Sequence, residues 1–307
     1  MNGIGRWILS LRIYSFTASA VPIILALALA IEGTHRIVWW TVPLFTVAAL
    51  LLHAGTNVLN DYYDHALGID TPDDSDPTHV IPRGIVSPRF MITSGHVYVL
   101  LALLLGGTLS LWRGPLYFLV GIASALGAYF YTGRRFSLKY HALGDITVFL
   151  LTGPVLVFMS YWTFTGAASA RPAVASLPVA FFVTSILHGN NMRDHATDHS
   201  AGISTVAGLL GFRGSRMYFV FLLAAGYGGV IGLVTTGTLP PTVLISLASL
   251  PVAWSLARDV LRSPVGPTPA NLPSNLSADL PVRCARVHLL FGVLYSAGVL
   301  ISRVFTG

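Results

Sequence analysis

Runs of about twenty apolar residues recur along the chain, and nothing else in the sequence constrains its fold as strongly. A membrane-crossing helix needs about 20 mainly apolar residues. Nine such runs are read at 13–31, 38–59, 91–112, 115–133, 142–164, 172–191, 216–236, 239–257 and 285–303. Only 10% of the 307 residues are charged and 54% are hydrophobic, too few charges to solvate a globular surface. The expectation is an all-α membrane protein of nine transmembrane helices, one domain over residues 1–307. The third and fourth runs are separated only by Trp112-Arg113-Gly114-Pro115, a tight hairpin. The first run reads as a retained helix, since no small-residue cleavage site leads into a soluble domain. Cys284 is the single cysteine, so an internal disulfide framework is excluded.

The basic residues test this layout. With a cytoplasmic N-terminus, 14 of the 18 fall in the N-terminus and in the loops after the second, fourth, sixth and eighth runs. Only Arg36, Arg113, Arg171 and Arg303 fall on the other side. That split follows the positive-inside rule. It also accounts for the net charge of +6 without an acidic partner. No nucleic acid and no obligate protein partner are expected. The localisation expected is the plasma (inner) membrane, multi-pass.

Eight of the 12 acidic residues lie in two clusters. The first runs Asn57-Val58-Leu59-Asn60-Asp61-Tyr62-Tyr63-Asp64 and continues through Gly68 to Asp70, Asp73, Asp74 and Asp76. The second is Asn190-Asn191-Met192-Arg193-Asp194-His195-Ala196-Thr197-Asp198. Each closes a run on the side assigned to the cytoplasm. On a helix, Asn57, Asn60, Asp61 and Asp64 share an arc of about 100°, as do Asn190, Asn191, Asp194 and Asp198. Carboxylates three or four residues apart repel, so such a face is costly unless a cation sits on it. Mg²⁺ favours one or two carboxylates together with phosphate oxygens. The plain alternative is a solvated helix end, where Asp and Asn also start turns; Asp73, Asp74 and Asp76, between Pro72 and Pro77, fit that better. Arg83, Arg135, Lys139 and Arg193 suit a diphosphate, although positive-inside anchoring also explains them. His53 and His188 lie within runs, and a neutral histidine bonded to a neighbouring helix is the simpler reading of each. Walker-type loops, His-Glu-x-x-His and Gly-x-Ser-x-Gly are absent from the sequence. The Asp-bearing ends of the second and sixth runs form a weak internal echo.

Asn60-Asp61-Tyr62-Tyr63-Asp64 paired with Asn190 to Asp198 resembles the UbiA superfamily of intramembrane prenyltransferases. Arg12 to Ser19, Tyr131-Thr132-Gly133, Leu143-Gly144-Asp145 leading to Gly153-Pro154, Tyr161 to Gly166, and Ala201 to Thr205 look closer to its 1,4-dihydroxy-2-naphthoate polyprenyltransferase branch. The resemblance implies nine helices around a central cavity opening to lipid, with the active site on the cytoplasmic side. It implies two Asp-rich motifs that bind Mg²⁺ and a prenyl diphosphate, with Asn60, Asp64, Asp194 and Asp198 matching the family's metal and diphosphate positions and Asp61 and Asn190 adjacent ones. Asp61, Asp64, Asp194 and Asp198 are expected to hold Mg²⁺, and Asn57, Asn60, Asn190 and Asn191 to contact the substrate. Arg83, Arg135, Lys139 and Arg193 are then expected on the diphosphate. Tyr131 and Arg135 fall where many members carry Tyr-x-x-x-Lys, so Arg135 is a departure. Gly68 stands where some members have a third Asp, and Asp70 is its substitute. The implied reaction transfers a prenyl group to an aromatic acceptor, dihydroxynaphthoate with loss of CO₂ in the closer branch. Tyr62, Tyr63 and Tyr131 are candidates to line the site of the allylic cation. Other branches accept 4-hydroxybenzoate, homogentisate, haem or a glycerol phosphate ether. From a different class, a divalent-cation transporter normally places its ionisable groups near the bilayer midplane. A non-catalytic membrane subunit would not need the acid faces.

Overall fold

A computed structural model describes residues 11–33, 36–70, 80–133, 137–263 and 274–306. Its described residues are helical almost throughout. A 3₁₀ turn over Ile13–Phe16 leads into α1 (Thr17–Glu32), followed by α2 (Thr41–Ala66), α3 (Pro88–Arg113) and α4 (Pro115–Thr132). Only Gly114 separates α3 from α4; its φ of 93° is open to glycine, and Pro115 starts the next helix. After a 3₁₀ turn at Leu138–Tyr140 come α5 (Gly144–Leu150), a π turn (Leu151–Val155) and α6 (Leu156–Thr165). The chain continues through α7 (Ala170–Ala175), α8 (Leu177–Arg193), α9 (His195–Ser200) and α10 (Val206–Thr235). A 3₁₀ stretch (Pro241–Ser249), α11 (Leu250–Arg262) and α12 (Ser274–Thr306) complete it.

Eight helical segments among the described residues are long and apolar enough to cross a membrane. The expected sixth span, 172–191, differs. It is divided between α7 and α8, and α8 alone has 17 residues. The break falls at Ser176-Leu177-Pro178, where proline cannot donate a backbone hydrogen bond. The expected seventh span begins at 216, but helix already starts at Val206 and bends at Gly211, whose φ is 63°.

Large apolar side chains stay exposed on α3 and α4, Leu104, Leu111 and Leu119 among them, as a lipid-facing surface requires. Inside, α1, α6, α8, α10 and α12 share one core containing Leu25, Phe164, Phe182, Phe219 and Phe291. At the end remote from the acidic clusters, Arg171 forks onto Glu32 at 2.7 and 3.0 Å. There too, Arg113 donates to the Thr163 carbonyl at 3.1 Å. These contacts fasten the far side, and the helices diverge enough between the two ends to leave a cavity of about 320 Å³.

Candidate active site

The first acidic cluster occupies the last turns of α2. Its side chains are already engaged. Asp61 is 2% exposed and pairs with Arg12 at 2.7 Å. Asp64 accepts from Lys139 Nζ at 2.6 Å, from Asn60 Nδ2 at 2.9 Å and from the Tyr140 hydroxyl. Asn60 Oδ1 in turn accepts from Lys139 at 2.6 Å and Thr132 at 3.0 Å. Lys139 and Tyr140 reach this surface because their 3₁₀ turn is pinned to the segment after α9. Ser204 N–H donates to the Tyr140 carbonyl at 3.1 Å, and Ala142 N–H donates to the Ser204 carbonyl at 2.6 Å. One strap of backbone thus joins the loop bearing the cations to the second acidic cluster.

That cluster closes α8 and forms α9. Arg193 grips Asp194 through two hydrogen bonds of 2.7 and 2.8 Å. Asp194 is therefore held by its own neighbour. Asn191 donates to Asp145 at 3.4 Å. Asn190 lines the cavity, and its Oδ1 is buried with no hydrogen-bond partner, an acceptor suited to a cation or a donor from a bound molecule.

The internal echo in the sequence is a repeated backbone motif. Ile69 N–H donates to the Asp64 carbonyl and Gly68 N–H to that of His65; Ile203 donates to Asp198 and Gly202 to His199. Both are Schellman closures with a left-handed glycine, φ 72° at Gly68 and 70° at Gly202. Each places an aspartate three positions before its capping residue. Gly68 thus suits the geometry, since glycine adopts this left-handed conformation at no steric cost. The third carboxylate of this end comes instead from Asp70, two residues on and 8% exposed.

The two ends share one electrostatic environment. Burial, and then the charge of Asp194, push the Asp198 carboxyl up to about 8; Asp64 adds to this, while Lys139 and Arg193 oppose it. Burial, with Asp64 and Asp61, likewise pushes Asp70 up to about 8, against Arg12 and Lys139. Tyr140 is raised by burial and by Asp64. His195, beside Asp194, is lowered by burial. Among the described residues, no three His, Cys, Asp or Glu side chains are grouped closely enough to hold a metal alone. The donor set fits a cation that also takes phosphate oxygens, because Mg²⁺ usually binds through one or two carboxylates plus substrate.

Beneath the acids runs the cavity. Tyr131, Asn57 and Asn190 stand at its polar end, and Phe45, Tyr117 and Met159 at the other. Tyr131 and Tyr117 are fourteen residues apart on α4, so the cavity spans about 20 Å of helix. The π turn brings Leu151, Thr152 and Val155 into the wall.

A UbiA prenyltransferase family model matches residues 19–276. The chain belongs to the UbiA prenyltransferase family. The enzyme class expected from the sequence is the class of this family. "UbiA prenyltransferase domain-containing protein 1" of Danio rerio is 32% identical over 96% of this chain and 84% of its own length. The 1,4-dihydroxy-2-naphthoate octaprenyltransferase of Bacillus subtilis (strain 168) is 29% identical over 95% of this chain and 91% of its own. A solved structure of a UbiA homolog from Archaeoglobus fulgidus, bound to DMAPP and Mg²⁺, shares the fold at a TM-score of 0.63. It is 14% identical, over 96% of this chain and 99% of that one.

Within this UbiA chain, Arg83 lies exposed in the loop leading to α3. Arg135, Asp73, Asp74 and Asp76 lie outside the described residues. Three site neighbours were not among the expected site residues. Arg12 heads the Arg12–Ser19 stretch of the resemblance but carries no expected role in the site. Tyr140 had no signal beyond adjacency to Lys139. Asp145 did have one: an acid heading an apolar run. It is 4% exposed, lies 3.5 Å from His188 Nδ1 and bonds Tyr218.

Proposed function

We propose that this protein transfers a prenyl group from a prenyl diphosphate to an aromatic acceptor, most specifically 1,4-dihydroxy-2-naphthoate with release of CO₂. One observation carries the reading: two aspartate-bearing helix ends, linked by the backbone strap between Tyr140–Ala142 and Ser204, stand over the mouth of a long apolar cavity. The diphosphate belongs at the acids and the prenyl tail in the cavity. The choice of acceptor rests on the likeness to the Bacillus octaprenyltransferase.

In this reading Asp61, Asp64, Asp194 and Asp198 hold Mg²⁺, with Asp70 beside them and Asn60, Asn57, Asn190 and Asn191 assisting. Bound there, Mg²⁺ neutralises charge on the leaving diphosphate. Lys139 turns from Asp64 to the diphosphate and stabilises the same charge. Arg193 keeps Asp194 oriented. Breaking the C–O bond leaves an allylic cation on the prenyl carbon, and Tyr131 offers it an aromatic face. The apolar wall keeps water from that cation. The acceptor ring carbon supplies the electron pair for the new C–C bond, and the ring recovers aromaticity as its carboxylate leaves as CO₂.

The helices lie in the plasma membrane with the N-terminus and acids on the cytoplasmic side, following the arginine distribution. Taken together, α7 and α8 make the ninth crossing. A transporter is disfavoured because the acids gather at one end of the helices. The deciding experiment supplies the purified protein with Mg²⁺, dihydroxynaphthoate, 4-hydroxybenzoate and a mixture of prenyl diphosphates. Mass spectrometry of the products is expected to give the decarboxylated prenyl naphthalenediol. Prenylated hydroxybenzoate alone would move the protein to another branch; Mg²⁺ flux into liposomes without any transfer would support the transporter.

A further inference from the structure

The cavity wall is polar in two different ways. On α2, α4, α5 and the π turn, Thr56, Ser124, Thr147 and Thr152 line it, yet each hydroxyl donates to the carbonyl four residues back in its own helix. Their donors are spent, and such back-bonding carries no information about a ligand. The wall formed by α1 and α2 is organised otherwise. There Ser15, Ser19, His53 and Asn57 all line the cavity and bond to one another across the two elements.

The donor inventory fixes the direction at one end of this chain. Asn57 Nδ2 donates to the Leu11 carbonyl at 3.3 Å and to Ser15 Oγ at 3.0 Å. Ser15 Oγ also stands 3.0 Å from His53 Nε2, and Ser19 Oγ 2.7 Å from Nδ1. In the tautomer with Nε2 accepting, Ser15 donates to the ring and Nδ1–H donates to Ser19; in the other tautomer Ser19 donates to the ring and Ser15 keeps its hydrogen. The Phe16 ring, centred 5.3 Å away, braces the imidazole. In the Nδ1–H tautomer the relay ends in the Ser19 hydroxyl, whose hydrogen is then available to the cavity. His53 is one helical turn below Asn57 and two below Asp61, about 12 Å from the latter along α2.

A prenyl tail has no use for such a donor, and the diphosphate belongs at the acids. The remaining reactant is flat, aromatic and hydroxylated, and must lie beside the first carbon of the tail. We infer that the Asn57–Ser15–His53–Ser19 relay is the acceptor-binding wall, with Ser19 donating to a ring oxygen of a hydroxylated aromatic. The inference rests on the prenyltransferase reading for the identity of the ligand. A site built to hydrogen-bond a ligand oxygen discriminates strongly against rings lacking it.

The test uses dihydroxynaphthoate as a fluorescent probe, binding to the purified full-length protein with no prenyl diphosphate present. It therefore reads the site even if turnover fails. Ser19→Ala removes one hydroxyl, and His53→Phe breaks the relay while filling its volume. Each is expected to weaken probe binding about tenfold or more. Separately measured binding of a prenyl diphosphate with Mg²⁺ is expected to stay within about twofold. Thr108→Val, at an exposed position of α3 outside the cavity, leaves both unchanged. Unaltered probe binding in Ser19→Ala and His53→Phe overturns the proposal, as does equal weakening of both ligands, the mark of a purely structural tie between α1 and α2. Failure of all acceptors in the product assay, with the probe still bound through Ser19, would instead sink the transfer reaction.

Discussion

Asp64 and Lys139 stand 2.6 Å apart, carboxylate oxygen to Nζ, although 75 residues separate them in the chain. Both side chains are largely buried, at 9% and 20% exposure, so each neutralises the other where water screens little. On the proposed reading, Asp64 would be free to hold a metal and Lys139 to hold the diphosphate once the pair separates. Lys139→Met is expected to lower kcat/KM for the prenyl diphosphate by about 10²–10³, with the acceptor KM nearly unchanged. Asp64→Asn is expected to abolish Mg²⁺-dependent transfer in protein that still folds into membranes. Steady-state kinetics in proteoliposomes check both, and wild-type turnover in Asp64→Asn would remove that residue from the site.

The carboxyls of Asp70 and Asp198, raised to about 8, give a pH signature. The folded protein keeps protons that the unfolded chain releases near pH 4. Their contribution to stability is therefore complete below about pH 4 and is lost as pH rises to about 8. A divalent cation at this surface favours the ionised forms, expels those protons and binds more tightly at higher pH. Mg²⁺ with diphosphate is expected to raise the melting temperature in detergent more at about pH 8.5 than at about pH 6. Equal increments at both pH values would separate these carboxylates from the cation.

How much of this was legible follows from which interactions are local. Apolar runs and the arginine distribution marked the helices because a bilayer acts on every span alike. The first aspartate cluster was visible because Asn57, Asn60, Asp61 and Asp64 share one helical face; the second was expected on one face too, but the helix breaks at Asp194, which leaves Asp198 on α9. The interruption between α7 and α8 was hidden: Ser176-Leu177-Pro178 is as apolar as its surroundings, and hydropathy does not register a missing N–H. Pairings across distant segments, Arg12 with Asp61 or Tyr140 with Asp64, depend on folding that brings separate loops together. The glycine at 68 looked like a lost ligand, whereas its positive φ is one that glycine adopts at no steric cost, as Gly202 does.

The π turn gives a stability prediction. Gly153 packs so closely on α8 that an added Cβ would come within 2.4 Å of the Ala180 Cβ. Both helices are buried there, and Pro154 leaves little freedom for the backbone to yield. Gly153→Ala is expected to destabilise by about 1–3 kcal/mol. Gly106→Ala, where an added Cβ meets nothing within 4 Å, is the neutral comparison. Melting temperatures in one detergent measure the difference, and equal values would mean that α8 can shift.

The cavity's depth leads to a prediction about tail length. Gly121 lines it, ten residues from Tyr131 on α4 and so about 15 Å below Tyr131 at the polar end. An added Cβ there would have Met159 Cε as its nearest neighbour at 3.9 Å, so a small side chain is accommodated and a larger one extends into the cavity. Tyr117 closes the same end, its hydroxyl held by Thr163 at 2.7 Å, which makes the floor rigid. Gly121→Leu therefore shortens the space for the tail without touching the acids. In a mixture of prenyl diphosphates the variant is expected to shift its preference toward shorter chains by about tenfold to a hundredfold, while its Mg²⁺ requirement stays as in the wild type. Loss of activity with every chain length would indicate that the first isoprene units already reach Gly121. An unchanged product distribution would show that the tail leaves the cavity above this glycine and runs between helices into lipid.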